Sequence, residues 1–200
     1  MSSTPHTGSE DDASRLLGGY RLLQTLVAIR LRTVTDPASR RHLTWLSDIV
    51  AALSLLNRRM AADGPVDFAG YLDDASAFWR RTCEGRGIRL SVRGSVRALP
   101  DSHAMPLAIM LHELLSNAVR HAFPGEARGS IAVAFSQASD GVSLVVRDTG
   151  IGATALPNGE GLALVEGLVQ HLGGSMAIET AAGAGVGVRL RLPMTDSRLH

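Results

Sequence analysis

At Ile88 the hydrophobic pattern of this 200-residue chain changes period, and any fold must accommodate both halves. Upstream, apolar residues recur every three to four positions, as on helices. Leu16, Tyr20, Leu23, Val27 and Leu31 form one helical stripe between Ala13 and Thr33. Asp36-Pro37 then supplies a cap followed by proline at the first helical position. The second stripe, Leu46, Ile49, Leu53, Leu56 and Met60, stops at Gly64-Pro65. Two long helices with a short turn between them predict an antiparallel hairpin over residues 13–65. Each helix can bury one face, and a second copy of the chain would cover what remains, so a homodimeric four-helix bundle is expected. A third helix is predicted behind Asp67, with Phe68, Leu72, Ala75 and either Phe78 or Trp79 turned inward.

Downstream, Ile88, Leu90 and Val92 alternate with Arg89, Ser91 and Arg93, the pattern of a strand. A helix is predicted over Ala104–Ala122, then strands over 130–136 and 142–148 joined by Ser139-Asp140-Gly141, a hairpin signal. Another helix, Gly161 to Leu172, ends at Gly173-Gly174, and strands near 175–180 and 185–192 complete the pattern. The expected fold class is α+β: the helical hairpin, then a sandwich over residues 66–200 with helices on one face of a mixed sheet. Residues 1–12 are polar and acidic, and are expected to be a disordered tail without the apolar core of a signal peptide.

Composition narrows the chemistry. All 20 basic residues are arginine, which excludes Schiff-base chemistry, a P-loop lysine and the strand lysine of eukaryotic-type protein kinases. A formal net charge of +1 gives no reason to expect nucleic acid or an anionic membrane as partner. The single cysteine, Cys83, can form neither an internal disulfide nor a thiolate zinc cage, and no apolar run is long enough for a membrane span. A cytoplasmic protein is expected.

Three stretches can carry chemistry. In the helix that includes Leu111-His112-Glu113-Leu114-Leu115-Ser116-Asn117-Ala118-Val119-Arg120-His121-Ala122, the apolar side is Leu111, Leu114, Leu115, Ala118 and Ala122. Glu113, Asn117 and Arg120 or His121 share a polar stripe. An acid and an amide one turn apart, with a cation beyond, can organise magnesium, a water and a phosphate chain. The same stripe would also suit the solvated face of an ordinary amphipathic helix. The second stretch, Val145-Val146-Arg147-Asp148-Thr149-Gly150-Ile151-Gly152, delivers a carboxylate at a strand end beside bare backbone, which can read an exocyclic amine such as that of adenine. A plain Asp-Gly loop at a strand exit looks alike. In the third, Gly159-Glu160-Gly161-Leu162, glycines feed a helix N-terminus whose free amides and positive dipole end suit phosphate.

In this order and spacing, the three stretches resemble the N, G1 and G2 boxes of the GHKL ATPase superfamily, and within it the bacterial sensor histidine kinases of the HisKA_2 and HWE type. The resemblance extends over nearly the whole chain. It implies ATP and magnesium as cofactors. Asn117 would hold magnesium, Glu113 would be the catalytic carboxylate, and Arg120 or His121 would face phosphate. Asp148 would bind the adenine amine, with Gly150, Gly152, Gly159, Gly161 and Leu162 shaping the nucleotide pocket and its lid.

The chain departs from that family at three places. Where the first helix of the family reads His-Arg-x-Lys-Asn-Asn-Leu-Gln, this one reads Leu17-Gly18-Gly19-Tyr20-Arg21-Leu22-Leu23-Gln24, with Leu17 at the phosphoacceptor position. The lid between the glycine boxes, Ala153 to Asn158, is very short. The last strand reads Gly185-Val186-Gly187-Val188, without the Gly-Thr that often contacts the adenine site. Of the other histidines, His42 reads as a solvent-facing structural residue, and His103 and His171 as helix-end residues. No histidine pair has convincing zinc-ligand spacing.

The resemblance therefore implies a dimeric, histidine-kinase-like ATP-binding protein of two-component signalling without a phosphoacceptor histidine of its own. It would act on or with a partner histidine kinase or a response regulator. Two other classes share the architecture: a non-catalytic phosphotransfer or adaptor protein, and a serine kinase of the anti-sigma-factor type, against which the long helical hairpin argues.

Overall fold

The computed structural model describes residues 7–60, 64–125, 127–154 and 159–194, with backbone alone for 7–18. Helix α1 spans Thr7–Thr33 and α2 spans Pro37–Asn57. Asp36 caps α2 as its sequence requires, its Oδ2 accepting from Ser39 N at 2.7 Å. Arg40 reaches back to the carbonyls of Leu31 and Val34, which the end of α1 leaves open. Of the predicted tail, residues 1–6 lie outside the described residues, and Thr7–Asp12 continue α1.

Helix α3 spans Phe68–Glu84, with Asp67 capping Gly70 N. Trp79 rather than Phe78 faces inward, and Phe78 stands at the surface. An Arg59–Asp74 pair with two hydrogen bonds, 2.9 and 3.0 Å, ties the end of α2 to α3.

The sheet has five strands, β1 (Ile88–Ser95), β2 (Gly129–Ala138), β3 (Gly141–Asp148), β4 (Ser175–Thr180) and β5 (Val186–Pro193). Their spatial order is β1-β2-β3-β5-β4; β1 and β2 are parallel and the other pairs antiparallel, so the sheet is mixed as expected. Helix α4 (Asp101–Asn117) and α5 (Glu160–His171) join α3 in covering it. Ile131, Val133 and Phe135 of β2, Val142, Leu144 and Val146 of β3, and Val188, Leu190 and Leu192 of β5 are buried beneath these helices. The intervening residues, such as Ala132, Ala134, Arg189 and Arg191, face solvent, which explains the period of two.

Two expectations need correction. Leu56, read as bundle core for a dimer, is 1% exposed within the single chain and packs in the core with Phe68 and Tyr71. The helix predicted to end at Ala122 is α-helical only to Asn117, and Ala118–Ala122 form a π-helical turn. Among the described residues, no helix is long and apolar enough to cross a membrane.

Candidate active site

The site lies where α4, the exit of β3 and the start of α5 meet. A cavity of about 310 Å³ is lined there by Asn117, His121, Asp148, Gly152, Gly159, Gly161 and Leu162, with Leu114, Val146, Val186 and Val188 among its apolar walls. Residues from all three predicted stretches therefore converge on one space.

Asp148 ends β3 and is 5% exposed. Its Oδ1 accepts from Gly150 N at 2.8 Å and from Val186 N at 3.2 Å. Burial pushes its carboxyl above the usual aspartate range, and these two N–H groups pull it part of the way back. With Oδ1 engaged, Oδ2 is left to read an amine. The glycines around it allow close approach. A Cβ at Gly150 would strike the Ala122 carbonyl, and one at Gly185, whose φ is +72°, would strike the Asp148 backbone. Gly150 itself packs behind the cavity rather than lining it.

Glu113 is 3% exposed. Burial raises its carboxyl above the ordinary glutamate value, opposed by the neighbouring Trp45 indole and Arg120 guanidinium. It does not line the cavity, but its Oε2 closes on α5 at Gly161. A side chain there would collide with Glu113 Oε2 and come within 3.6 Å of Asn117 Nδ2. An acid and an amide thus converge on bare backbone at a helix N-terminus, where no side chain of Gly159 caps the free N–H groups. That donor set fits a phosphate chain with a magnesium ion at Asn117.

Arg120 and His121 part company. An α-helix advances about 100° per residue and a π-turn roughly 80°, so the widened turn moves His121 onto the Glu113–Asn117 stripe and carries Arg120 off it. His121 lines the cavity, whereas Arg120, expected near phosphate, pairs instead with Asp48 of α2 at 2.5 Å. His112 packs against Trp79 with ring centroids 5.1 Å apart, and burial lowers its pKa to about 4.

Several site residues escape sequence reasoning. Thr180 accepts from Ala153 N at 3.0 Å and its hydroxyl lies 3.0 Å from the Gly185 carbonyl, pinning the start of the lid to the β4–β5 turn. The sequence signals there only a turn of small residues. Helix α2 brings three more. His42, read as solvent-facing, places Nδ1 3.0 Å from Glu160 Oε1, with both side chains more than half exposed. Trp45 Nε1 is buried with no acceptor in hydrogen-bonding geometry, although the indole lies close enough to lower the Glu113 pKa. Asp48 holds Arg120. Only a helical stripe His42, Trp45, Asp48 hints at this, and nothing in it names the opposing surface.

Residues 102–196 match the family described as histidine kinase-, DNA gyrase B-, and HSP90-like ATPase. The chain is 26% identical over 193 residues to the sensor histidine kinase PdtaS of Mycobacterium tuberculosis, covering 90% of this chain and 38% of that protein. It is 28% identical over 176 residues to the blue-light-activated histidine kinase 1 of Erythrobacter litoralis, covering 84% and 47%. The chain thus spans less than half the length of these relatives. In fold it is similar to the histidine kinase domain of the Erythrobacter litoralis EL346 blue-light-activated histidine kinase, with a TM-score of 0.67 at 23% identity, over 86% of this chain and 95% of that one. Full-length ShkA in complex with AMPPNP gives a TM-score of 0.54 at 22% identity, over 92% and 45%. Residues 102–196 belong to the histidine kinase-, DNA gyrase B-, and HSP90-like ATPases, and the chain that carries them is a relative of bacterial sensor histidine kinases.

Proposed function

We propose that this chain is an ATP-dependent phosphotransferase of two-component signalling that works as a homodimer on an acceptor carried by a partner. The observation that carries this reading is the pairing of Asp148, with one carboxylate oxygen free beside the cavity, with Glu113 and Asn117 converging on Gly161. Asp148 Oδ2 accepts the adenine amine, and the apolar walls Leu114, Val146 and Val188 take the base. The free N–H groups at the start of α5 hold phosphate oxygens. Magnesium, bound with Asn117 as a ligand, supplies neutralisation of the phosphate charge. Glu113 orients the acceptor and takes its proton, a role suited to a carboxyl raised by burial.

The acceptor is assigned to a partner, a histidine kinase or a response regulator, because the resemblance aligns Leu17 with the histidine of the family's first-helix motif. Dimerisation is supported by a row of exposed apolar residues on α1, Leu22, Leu23, Leu26 and Ile29, with Leu46 on α2. Residues 13–65 form the dimerisation unit in this reading and 66–200 the ATPase unit, in the cytoplasm.

The test is a calorimetric titration with ATP and magnesium, followed by transfer of label from ATP with and without candidate partner proteins. Saturable binding, with label on a partner, is expected. Absence of any heat at millimolar ATP would leave the chain a non-catalytic adaptor.

A further inference from the structure

Three contacts hold one face of α2 against the surface that an acceptor must reach. In its second turn His42 meets Glu160, which stands between the cavity-lining glycines Gly159 and Gly161. One turn on, Trp45 lies against Glu113. A turn further, Asp48 pairs with Arg120 at 2.5 Å. Residues at i, i+3 and i+6 share a helix face, so a single straight segment makes all three contacts. Beneath it Glu113 keeps 3% of its surface, too little for a protein side chain to approach it.

We propose that α2 is an autoinhibitory strap that closes the Glu113 side of the site to acceptors while leaving the nucleotide cavity open. The proposal rests on the ATP-dependent reading of the site given above. The cavity does not include α2: its lining comes from α4, the π-turn, the strands, the first turn of α5 and the loop residues before it. Nucleotide can therefore enter with the strap in place, and what is blocked is the approach of the group that takes the phosphoryl.

The contacts have the strength of a switch rather than a weld. The His42–Glu160 pair is more than half exposed, and Arg120 and Asp48 are 47% and 34% exposed, so water and salt screen both pairs. A partner that supplies its own groups to Glu160 and Arg120 would compete for the N-terminal half of α2, from His42 to Asp48, and uncover Glu113 there, while Ala52 and Leu56 keep the C-terminal half anchored in the core. Input and acceptor docking would then be one event.

Two opposed variants of the whole protein test this. His42→Ala with Asp48→Ala should release the strap, increasing acrylamide quenching of Trp45 fluorescence, read in a Trp79→Phe background, and raising ATP hydrolysis by about two- to twentyfold. His42→Cys with Glu160→Cys should cross-link on oxidation. That form should bind the fluorescent analogue TNP-ATP like the reduced form, yet lose hydrolysis until dithiothreitol is added. Unchanged Trp45 quenching in the release variant would overturn the strap, as would undiminished hydrolysis in the cross-linked one. Label from ATP appearing on His42 would overturn it too, since the contact would then be productive. Failure of every form to bind TNP-ATP would count against the ATP-dependent reading instead, while the quenching result would still decide whether α2 is held as described.

Discussion

Gly161 and Glu113 approach so closely that only a residue without a side chain fits between α5 and α4. A Cβ at position 161 would collide with Glu113 Oε2. The contact brings the acid of one predicted motif against the backbone of another, and it makes the phosphate end of the site sensitive to a single methyl group.

Gly161→Ala should therefore cost up to about 1–3 kcal/mol of stability, the usual cost of forcing a methyl group into a filled space, and should weaken nucleotide binding by pushing the Glu113 carboxylate out of place. Elsewhere in the same helix the sign reverses. A methyl group at Gly167 would meet nothing within 4 Å, so Gly167→Ala should stabilise the protein by about 0.5–1 kcal/mol. Calorimetric titration and thermal unfolding of the two variants separate the effects; equal behaviour would show that the close approach at Gly161 has no energetic weight.

Asp148→Asn should cost about 1.5–3 kcal/mol of ATP affinity by replacing a charge-assisted bond to the adenine amine. Burial raises the Asp148 pKa, so its proton is held more tightly in the folded protein than in the unfolded chain. The ionised form that binds the amine is lost as pH falls through that raised value. Wild-type affinity should accordingly decline on acidification from neutrality, and the decline should be absent in Asp148→Asn.

His112 gives a second pH signature, in stability. Its folded pKa is lowered to about 4 from an ordinary 6.5, because burial disfavours the imidazolium. Between those values the unfolded chain binds a proton that the folded one does not. Stability from this residue is thus fully present above pH 6.5 and is lost as pH falls towards 4, by at most about 3 kcal/mol. Urea unfolding at about pH 7.5 and about pH 4.5, on either side of the ordinary histidine value, should show the loss in wild type. A smaller loss is expected in His112→Phe, which keeps the packing against Trp79.

The periodic part of the fold was legible because burial on one face imposes its spacing on the chain. The change at Ile88 placed the first strand, and the caps at Asp36 and Asp67 placed two helix starts. The cavity was legible for a related reason: its glycines and Asp148 lie in short contiguous stretches whose chemistry is local. What escaped is tertiary. An i→i+5 turn has no compositional mark, so the sequence could not say whether Arg120 or His121 would face the cavity. Phe78 and Trp79 are adjacent, and only the observed packing distinguishes them. The contacts of His42, Trp45 and Asp48 depend on how α2 docks on α4, which no local pattern specifies.

The exposed row on α1 yields a prediction for assembly. Leu26 is 52% exposed in the single chain, so Leu26→Asp should leave the sandwich folded while placing a charge in any interface that α1 makes. Wild type is expected to elute as a dimer in size-exclusion chromatography with light scattering, and Leu26→Asp as a folded monomer. A monomeric wild type at tens of micromolar would remove the dimer from the proposal.

The remaining prediction separates this chain from an ordinary histidine kinase: incubated alone with ATP and magnesium, it should acquire no acid-labile phosphate. Attack on the γ-phosphorus needs a nucleophile held in line at about 3–3.5 Å. Leu17 has no lone pair to offer, Gly18 and Gly19 have no side chains, and the Tyr20 hydroxyl and Arg21 guanidinium are poor nucleophiles. His42 is on the other helix, and its contact with Glu160 is the one place among the described residues where α2 brings an imidazole to the rim of the site. That makes it the position to watch. Incubation with γ-labelled ATP, alkaline quenching and peptide mapping should find the wild-type chain unlabelled and His42→Ala indistinguishable from it. Alkali-stable, acid-labile label that disappears in His42→Ala would move the acceptor from a partner onto α2.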